Sequence, residues 1–386
     1  MRITVPIGTR PEVIKLALVV RALRDAGHEV RCIATGQHTD PRMAGRLFEA
    51  MGCTPDATWD LSGTEGQRVG RLLGLAFEEL ERHRPDALLV LGDTYTAPLT
   101  AMAARRHGVG VVHLEAGLRS FNERSMEELN RRMMADLATV HLAPTEMAAS
   151  FLSAEGVSPE RIRVVGNPVI DALAASGVAH VPVDARRGVL ITAHRATNVD
   201  DPVRLAELVT LVRQLGSELG PVVFPVHPRT HVRLEDAGLL SVIASAPGVE
   251  LMEPLPYEDL LARLATSRLV VTDSGGLQEE ASYFGVPVVV LRATTPRWES
   301  VESGAVRLTG LDAERAMAAA RVFSTERELR RVDALPCPYG SGDTADRVVN
   351  ALNQPELREI LSPAEPGMTV PTAVHAAGMD VWAESA

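Results

Sequence analysis

Short apolar runs rich in β-branched residues alternate along this chain with longer segments in which apolar residues recur every three or four positions. The short runs predict strands buried on both faces, and the longer segments predict amphipathic helices. In the first half, strands are predicted at residues 3–7, 30–34, 87–91, 109–114 and 140–143, and helices at 13–26, 44–51 and 69–82. Because strands and helices alternate, this half should form a parallel sheet covered by helices.

The same alternation begins again near residue 189. Strands are predicted at residues 189–192, 222–226, 250–252, 269–272 and 286–291, and helices at 202–215, 257–265 and 277–284. We therefore predict an α/β fold of two doubly wound, Rossmann-like domains facing a cleft, with the ligand between the carboxyl ends of their strands. The expected division is a domain at 1–175, a domain at 176–343 whose residues 176–188 are the linker, a helix near 344–362 that packs back on the first domain, and a flexible tail at 363–386.

Composition and charge exclude several classes of protein. The 386 residues are 46% hydrophobic and 23% charged, which excludes a disordered or fibrous chain and suits two domains of ordinary size. The net charge of −11 disfavours a nucleic-acid partner, because a phosphate backbone attracts basic surfaces. No apolar run approaches the roughly 18 residues of a membrane helix, so no membrane partner is expected.

Cysteine and histidine usage bears on compartment and metal content. Cys32, Cys53 and Cys337 are widely spaced and form no paired motif, which is typical of a reducing compartment without a disulfide framework or a zinc site. Three histidines follow predicted strands without the spacing of metal ligands, namely His38, His194 and His227. The chain also begins at once with a predicted strand, so we expect a cytoplasmic protein without a metal site.

A single lysine, Lys15, stands among the 39 lysine and arginine residues. Codon bias in a GC-rich genome accounts for the arginine excess, but it does not say why one lysine remains. Lys15 lies four residues after Pro11, on the predicted first helix, whose N-terminus faces the cleft. An arginine there would be bulkier and planar, so a compact point charge is what distinguishes this side chain.

Two strand-to-helix turns have the composition of anion sites. Gly8-Thr9-Arg10-Pro11-Glu12 lacks the GxGxxG fingerprint of a dinucleotide site, but it would present backbone N–H groups and the Arg10 guanidinium to an anion. The same residues would also suit an ordinary surface turn. In the second half, Ser274-Gly275-Gly276 lets the backbone approach a pyrophosphate, and Glu280 on the following helix could accept from both ribose hydroxyls. Together the turns suggest a nucleoside diphosphate that bridges the cleft.

Carboxylates gather at the predicted strand ends of the first half. Asp93 and Glu115 each follow a buried strand, where a charged group needs a partner or a role. Glu127 and Arg131 are four residues apart on the next helix and would share one face, a spacing that also suits a solvated salt bridge.

The order of these motifs resembles that of the non-hydrolysing UDP-N-acetylglucosamine 2-epimerases. The matching pieces run in family order from the first strand to about residue 310. They are Gly8-Thr9-Arg10-Pro11-Glu12 with Lys15, Thr35-Gly36-Gln37-His38, Gly92-Asp93-Thr94, His113-Leu114-Glu115-Ala116-Gly117-Leu118-Arg119, Glu127-Glu128-Leu129-Asn130-Arg131, Gly166-Asn167-Pro168, His194-Arg195, Asp273 to Glu280, and Arg292 to Glu299.

The resemblance implies a fold like that of the GT-B glycosyltransferases, with UDP held mainly by the second domain. It implies isomerase chemistry without a cofactor, in which UDP-N-acetylglucosamine becomes UDP-N-acetylmannosamine by anti-elimination of UDP to a 2-acetamidoglucal and re-addition. The catalytic residues carried over are Asp93, Glu115, Glu127, Arg131, His194 and Lys15, without an assignment of the base. The substrate-binding residues carried over are Arg10, Ser274, Gly275, Gly276 and Glu280 for UDP, and Arg297 for the sugar.

The resemblance also implies a homodimer and an activator pocket for a second UDP-N-acetylglucosamine at Gln37 and His38. The chain departs from the family pattern in several places. Ala196 and Thr197 replace an arginine and a glutamate after His194-Arg195, which puts activation in doubt. Trp298 stands where the family has proline. An altered sugar preference is compatible with these changes.

Three other functions stay open at the level of sequence. A hydrolysing 2-epimerase would release N-acetylmannosamine and UDP, although the match around Glu115 and Asp273 disfavours it. A glycosyltransferase on the same fold would need an acceptor site. A binding protein without catalysis would be expected to lose the trio Asp93, Glu115 and Glu127, which is intact.

Overall fold

The computed structural model describes residues 1–36, 48–49 and 52–362 of the chain. Most of the helix predicted at 44–51, the activator residues Gln37 and His38, and the tail predicted at 363–386 lie outside these ranges.

Two parallel sheets form the framework, one in each half of the chain. The strands are β1 Arg2–Ile7, β2 Glu29–Ala34, β3 Ala57–Thr58, β4 Ala87–Leu91, β5 Gly110–Leu114, β6 Val140–Ala143, β7 Ile162–Val164, β8 Val189–Thr192, β9 Val222–Pro225, β10 Val249–Met252, β11 Leu269–Thr272, β12 Val288–Val290 and β13 Val306–Leu308. The first sheet has the order β3-β2-β1-β4-β5-β6-β7, and the second has the order β10-β9-β8-β11-β12-β13. Each order reverses once, between β1 and β4 and between β8 and β11, which makes both halves doubly wound as predicted.

The helices connect the strands and cover both sheets. They are α1 Arg10–Asp25, α2 Glu65–His83, α3 Thr96–Arg106, α4 Met126–Leu137, α5 Glu146–Ala154, α6 Pro168–Ala175, α7 Ala196–Val199, α8 Pro202–Glu218, α9 Pro228–Asp236, α10 Leu240–Ala244, α11 Tyr257–Thr266, α12 Gly276–Tyr283, α13 Trp298–Glu302, α14 Ala313–Phe323, α15 Glu326–Asp333, α16 Thr344–Asn353 and α17 Pro355–Leu361. Single 3-10 turns occur at Pro159–Arg161 and Val183–Ala185. No described helix is both long and apolar enough to span a membrane.

The strands that sequence patterns missed lie at the edges of the sheets. β3, β7 and β13 have two or three residues each, too few for an apolar pattern to appear. The central strands agree with prediction to within two residues at either end because both of their faces are buried, so their apolar runs are unbroken.

Two helices join distant parts of the chain. α16 packs against α1, and its Val348 and Leu352 are fully buried in the apolar cluster behind β1. α6 packs against both α1 and α12, and its Ile170 and Leu173 join an apolar cluster of the second half. α6 therefore physically connects the helices that begin at the two anion turns.

Replacing Leu352 by alanine should lower the free energy of unfolding by about 2–5 kcal/mol, because the side chain is fully buried and its loss leaves a cavity between α16 and α1. Urea unfolding measures the effect. The exposed Asn350 on the same helix offers the control Asn350→Ala, which should stay within about 0.5 kcal/mol of wild type. Equal effects of the two substitutions would contradict this packing.

Candidate active site

The two points of strand-order reversal face each other across a cavity of about 480 Å³. In doubly wound sheets this is where ligands bind, because neighbouring turns diverge and leave a crevice. Nine of the residues selected from sequence line the cavity: Arg10, Lys15, Asp93, Glu115, His194, Ser274, Gly276, Glu280 and Arg297. Gly275 adjoins it, since a side-chain carbon there would stand 3.2 Å from the Arg297 guanidinium.

A buried network of alternating charges crosses the cleft at Lys15. Its ammonium lies 2.5 Å from Oε1 of Glu115, which follows β5, and 3.6 Å from Oε2 of Glu279 on α12. Glu279 also accepts from Nε of Arg297 at 2.8 Å and from Nδ2 of Asn167, the N-cap residue of α6, at 3.0 Å. The side chain of Glu279 is fully buried and that of Lys15 is 11% exposed, so water screens the network little.

The charges in this network set one another's ionisation. Burial disfavours the ammonium of Lys15, yet the negative charges of Glu115 and Glu279 outweigh it and raise the pKa of Lys15. Burial raises the pKa of Glu115 despite the opposing charge of Lys15. For Glu279 the cations Arg297 and Lys15 outweigh burial and lower the pKa. Through Lys15 the network therefore joins Glu279, which is firmly ionised, to Glu115, which gives up its proton less readily.

Asp93 is held ionised beside this network. Nη2 of Arg131 donates a hydrogen bond to its carboxylate, and Nδ2 of Asn130 donates to its carbonyl oxygen at 2.8 Å. Burial disfavours the charge, but the guanidiniums of Arg131 and Arg297 lower the pKa of Asp93 below its usual range.

Arg131 pairs with Glu128 at 2.7 Å as well as with Asp93, and not with Glu127 in the solvated salt bridge that their spacing also suits. Glu127 instead accepts from Oγ of Ser125 at 2.5 Å. It does not line the cavity described above. The reason is that Arg131 reaches the end of β4, where Asp93 offers a carboxylate that is not on its own helix.

The backbone of Glu115, the residue that follows β5, is strained. Glu115 adopts φ of 62°, a left-handed conformation that costs a residue with a side chain on the order of 1–3 kcal/mol. Nε2 of His113, whose ring is buried, lies 2.8 Å from the carbonyl oxygen of Gly92. This contact ties the turn after β5 to the turn that carries Asp93.

Glu12 is a site residue that the sequence analysis quoted but did not select. Its carboxylate accepts from the backbone N–H groups of Gly8 at 2.6 Å and Thr9 at 2.7 Å, and from Oγ1 of Thr94 at 2.7 Å. Burial raises the pKa of Glu12 to about 7. The available signal was the capping box at the start of α1, in which Thr9 and Glu12 cap each other's N–H groups.

In the second half, Asp273 organises the turn after β8. Its fully buried carboxylate accepts from the backbone N–H of His194 at 3.0 Å and of Arg195 at 2.9 Å, and from Nδ2 of Asn198 at 3.1 Å. The backbone donors and the neighbouring His194 outweigh burial and lower the pKa of Asp273. The His194 ring stands 5.3 Å from that of His227, centroid to centroid, at the rim of the cavity.

Glu280 is turned toward α11. Its Oε1 accepts from the hydroxyl of Tyr257 at 3.1 Å, and burial raises the pKa of Glu280 to about 7. Glu279, the preceding residue, enters the Lys15 network instead. Sequence reasoning selected only Glu280 of the two, because adjacent acids on a helix look alike until the facing helix is known.

The described ranges contain no group of three or more His, Cys, Asp or Glu side chains arranged to hold a metal ion.

Replacing Lys15 by methionine should lower the free energy of unfolding by about 3–5 kcal/mol, because Glu115 and Glu279 lose their shared cation. The deficit should grow from pH 5.5 to pH 8. Without the ammonium the pKa of Glu115 in the folded state rises further above its unfolded value, so the folded variant is most stable when this carboxyl is protonated. Urea unfolding at several pH values measures the effect, with Lys15→Arg as the charge-preserving control. A deficit that is independent of pH would contradict the electrostatic role.

Known proteins match this chain over almost its whole length. The profile of the family described as UDP-N-acetylglucosamine 2-epimerase matches residues 21–353. The UDP-N-acetylglucosamine 2-epimerase of Methanocaldococcus jannaschii is 34% identical over 91% of this chain and 99% of its own length. The UDP-2,3-diacetamido-2,3-dideoxy-D-glucuronate 2-epimerase of Pseudomonas aeruginosa is 35% identical over 91% of this chain and 99% of its own length.

The fold also matches that of a protein whose crystal structure is known. The crystal structure of the M. jannaschii UDP-GlcNAc 2-epimerase in complex with UDP-GlcNAc and UDP superposes with a TM-score of 0.81 at 33% identity, covering 91% of this chain and 99% of that one. The two facing doubly wound halves therefore form a GT-B-like fold. By profile, sequence and fold together, this chain belongs to the UDP-N-acetylglucosamine 2-epimerase family.

Proposed function

We propose that this chain is a non-hydrolysing epimerase that interconverts UDP-N-acetylglucosamine and UDP-N-acetylmannosamine. The observation that carries the proposal is the meeting of carboxylates and cations from both halves at one cavity. Asp93 and Glu115 enter from the first half, Arg297 from the second, and Lys15 lies between them. The named activities of the relatives support the same chemistry.

The reaction needs this mixture of charges because the proton at C2 of the sugar is not acidic. No carbonyl group adjoins C2, so the proton departs only as UDP leaves C1 and positive charge develops at the anomeric carbon. The products are UDP and a 2-acetamidoglucal, and re-addition of UDP with protonation on the other face completes the epimerisation. Such a site must stabilise a cation, move a proton, and hold a departing diphosphate.

The two central carboxylates suit different parts of this task. Asp93 stays ionised beside Arg131. It therefore suits the task of stabilising the positive charge that develops at the anomeric carbon. Glu115 has a raised pKa and touches the ammonium of Lys15, so it suits proton exchange at C2, with Lys15 stabilising its ionised form. Glu127 and His194 flank this centre as further acid or base candidates, with Arg131 orienting Asp93.

UDP is assigned to the second half of the cleft. The N-terminus of α12, with the hydroxyl of Ser274 and the backbone of Gly275 and Gly276, supplies donors to the diphosphate. Arg10 adds a guanidinium from the first half. We assign Arg297 to the diphosphate as well, although the resemblance implies a role at the sugar, because its guanidinium stands beside Gly275. Glu280 is assigned to the ribose hydroxyls, which would compete with Tyr257 for its carboxylate.

A related substrate, a UDP-sugar with a C6 carboxylate, is a second candidate. Arg292 lies near Arg195, Arg297 and Arg131, and burial together with their positive charges lowers its pKa to about 10. Excess cationic charge beside the cavity suits an anionic sugar, and the P. aeruginosa relative is named for a glucuronate derivative. Competition between the two sugars distinguishes these candidates.

Three further properties belong to the proposal. The enzyme is assigned to the cytoplasm, in keeping with its few, free cysteines.

A homodimer is supported by exposed apolar side chains on one side of α4, at Met126, Leu129 and Met133. Light scattering tests the oligomeric state. Activation by a second UDP-N-acetylglucosamine at Gln37 and His38 stays an expectation, to be tested by the shape of the rate curve against substrate.

The reaction is tested by incubating the pure protein with UDP-N-acetylglucosamine in D2O and following proton and phosphorus NMR. Epimerisation predicts deuterium at C2 of both intact UDP-sugars. Accumulation of free UDP with N-acetylmannosamine would identify a hydrolysing enzyme instead. Saturable UDP binding without any exchange would contradict both catalytic proposals and leave a binding protein.

Asp93→Asn should reduce C2 exchange by a factor of about 1,000 or more while UDP still binds, because the standing charge beside the anomeric carbon is lost. The same NMR assay measures exchange, and calorimetry measures UDP affinity. Glu123→Gln, at an exposed position outside the cavity, is the matched control and should retain wild-type exchange. Near-normal exchange in the Asp93 variant would remove this carboxylate from the mechanism.

A further inference from the structure

The segment that carries Arg297 is fastened to the first half by its neighbours. Nε1 of Trp298 donates a hydrogen bond to the carbonyl oxygen of Arg119 at 2.8 Å. The buried hydroxyl of Thr145, at the start of α5, donates to the carboxylate of Glu299. Both contacts cross between the halves of the chain, and they flank Arg297 on its C-terminal side.

The loop that receives Trp298 is itself firmly held. Arg119 is fully buried, and its guanidinium pairs with Glu155 at 2.5–2.8 Å. The next residue, Ser120, donates from both its N–H and its hydroxyl to Glu128 at 2.8–2.9 Å. The Arg119 carbonyl is therefore a fixed acceptor, four residues after Glu115.

These contacts close a circuit around the active site. Glu115 binds Lys15, Lys15 approaches Glu279, and Glu279 binds Arg297. From Arg297 the backbone leads to Trp298, whose indole returns to the loop that follows Glu115. Beside the buried charges, a neutral hydrogen bond from Trp298 therefore also joins the two halves.

We propose that Trp298 is a positioning residue that holds the Arg297 guanidinium against the first half of the cleft, where it meets the diphosphate of the substrate. This inference rests on the proposed function, because it assigns Arg297 to a diphosphate. Without this contact the segment would lose its anchor beside Arg297, and the guanidinium would be less firmly placed for the diphosphate.

The test compares two ligands, UDP and uridine, on Trp298→Phe. This variant keeps an aromatic ring beside Phe121, whose ring centroid lies 6.4 Å away, and removes only the donor. We expect the Kd for UDP to rise about tenfold, roughly the loss of one hydrogen bond between the Arg297 guanidinium and the charged diphosphate, while the Kd for uridine stays within about twofold. A general loss of structure would weaken both ligands alike, so an unchanged ratio of the two Kd values overturns the proposal.

Phe121→Leu is the matched control, because it removes the ring contact and keeps the indole donor. It should retain the wild-type ratio of UDP to uridine affinity, and a ratio as disturbed as that of Trp298→Phe would overturn the role of the hydrogen bond. Turnover of Trp298→Phe should show a lower kcat/KM by a similar factor of about ten.

Fluorescence provides a second measurement that needs no turnover. The chain has three tryptophans, so Trp59→Phe with Trp382→Phe leaves Trp298 as the sole indole. Its emission should change saturably with UDP and stay unchanged with uridine. An emission indifferent to UDP would overturn the proposal.

The two proposals can fail separately. If the protein with Trp298 as its sole indole shows the emission change but wild type does not epimerise, the proposed function fails and the role of Trp298 stands. If wild type does not bind UDP, both fail.

Discussion

The ammonium of Lys15, shared between a carboxylate of each half, is the interaction on which the active site depends. Burying one charge costs several kcal/mol, and only close opposite charges offset that cost. Glu115 and Glu279 come from different halves, so the offset is complete only when the halves stand in this arrangement. The network is therefore better understood as a device for specifying geometry than as a source of stability. A lysine suits it because a compact ammonium reaches two carboxylates without the planar constraint of a guanidinium.

The fold supplies this geometry by repeating one architectural feature. In each sheet the strand order reverses once, and the turns that diverge there carry the chemistry: Arg10 and Asp93 in the first half, His194 and Ser274 in the second. Parallel strands bring all of these turns to one edge. The two edges face each other across the cavity, and α6 connects α1 and α12, the helices that begin at two of these turns.

Carboxylates of one chemical type acquire different properties in this cavity because their partners differ. Asp93 faces guanidiniums and stays ionised, whereas burial dominates at Glu115, Glu12 and Glu280 and raises the pKa of each. Glu279 and Glu280 are consecutive residues of α12, yet their pKa values shift in opposite directions. The pKa of Glu279 is lowered and that of Glu280 is raised. Partner geometry, and not residue type, therefore decides which of these carboxylates stays ionised.

Sequence alone determined the two series of βα units, the turns that end their central strands, and the isolation of Lys15, because these features depend on neighbours along the chain. It could not decide that Glu279 rather than Glu280 meets Lys15, since successive helical residues point about 100° apart and only the facing helix selects one. It also left open whether Arg131 pairs with Glu127, where the end of β4 offers Asp93 instead. Lys15 and Glu115 are 100 residues apart in sequence. Contacts of that kind were decided by tertiary structure, because the free energy of a buried charge depends on every group that replaces its water.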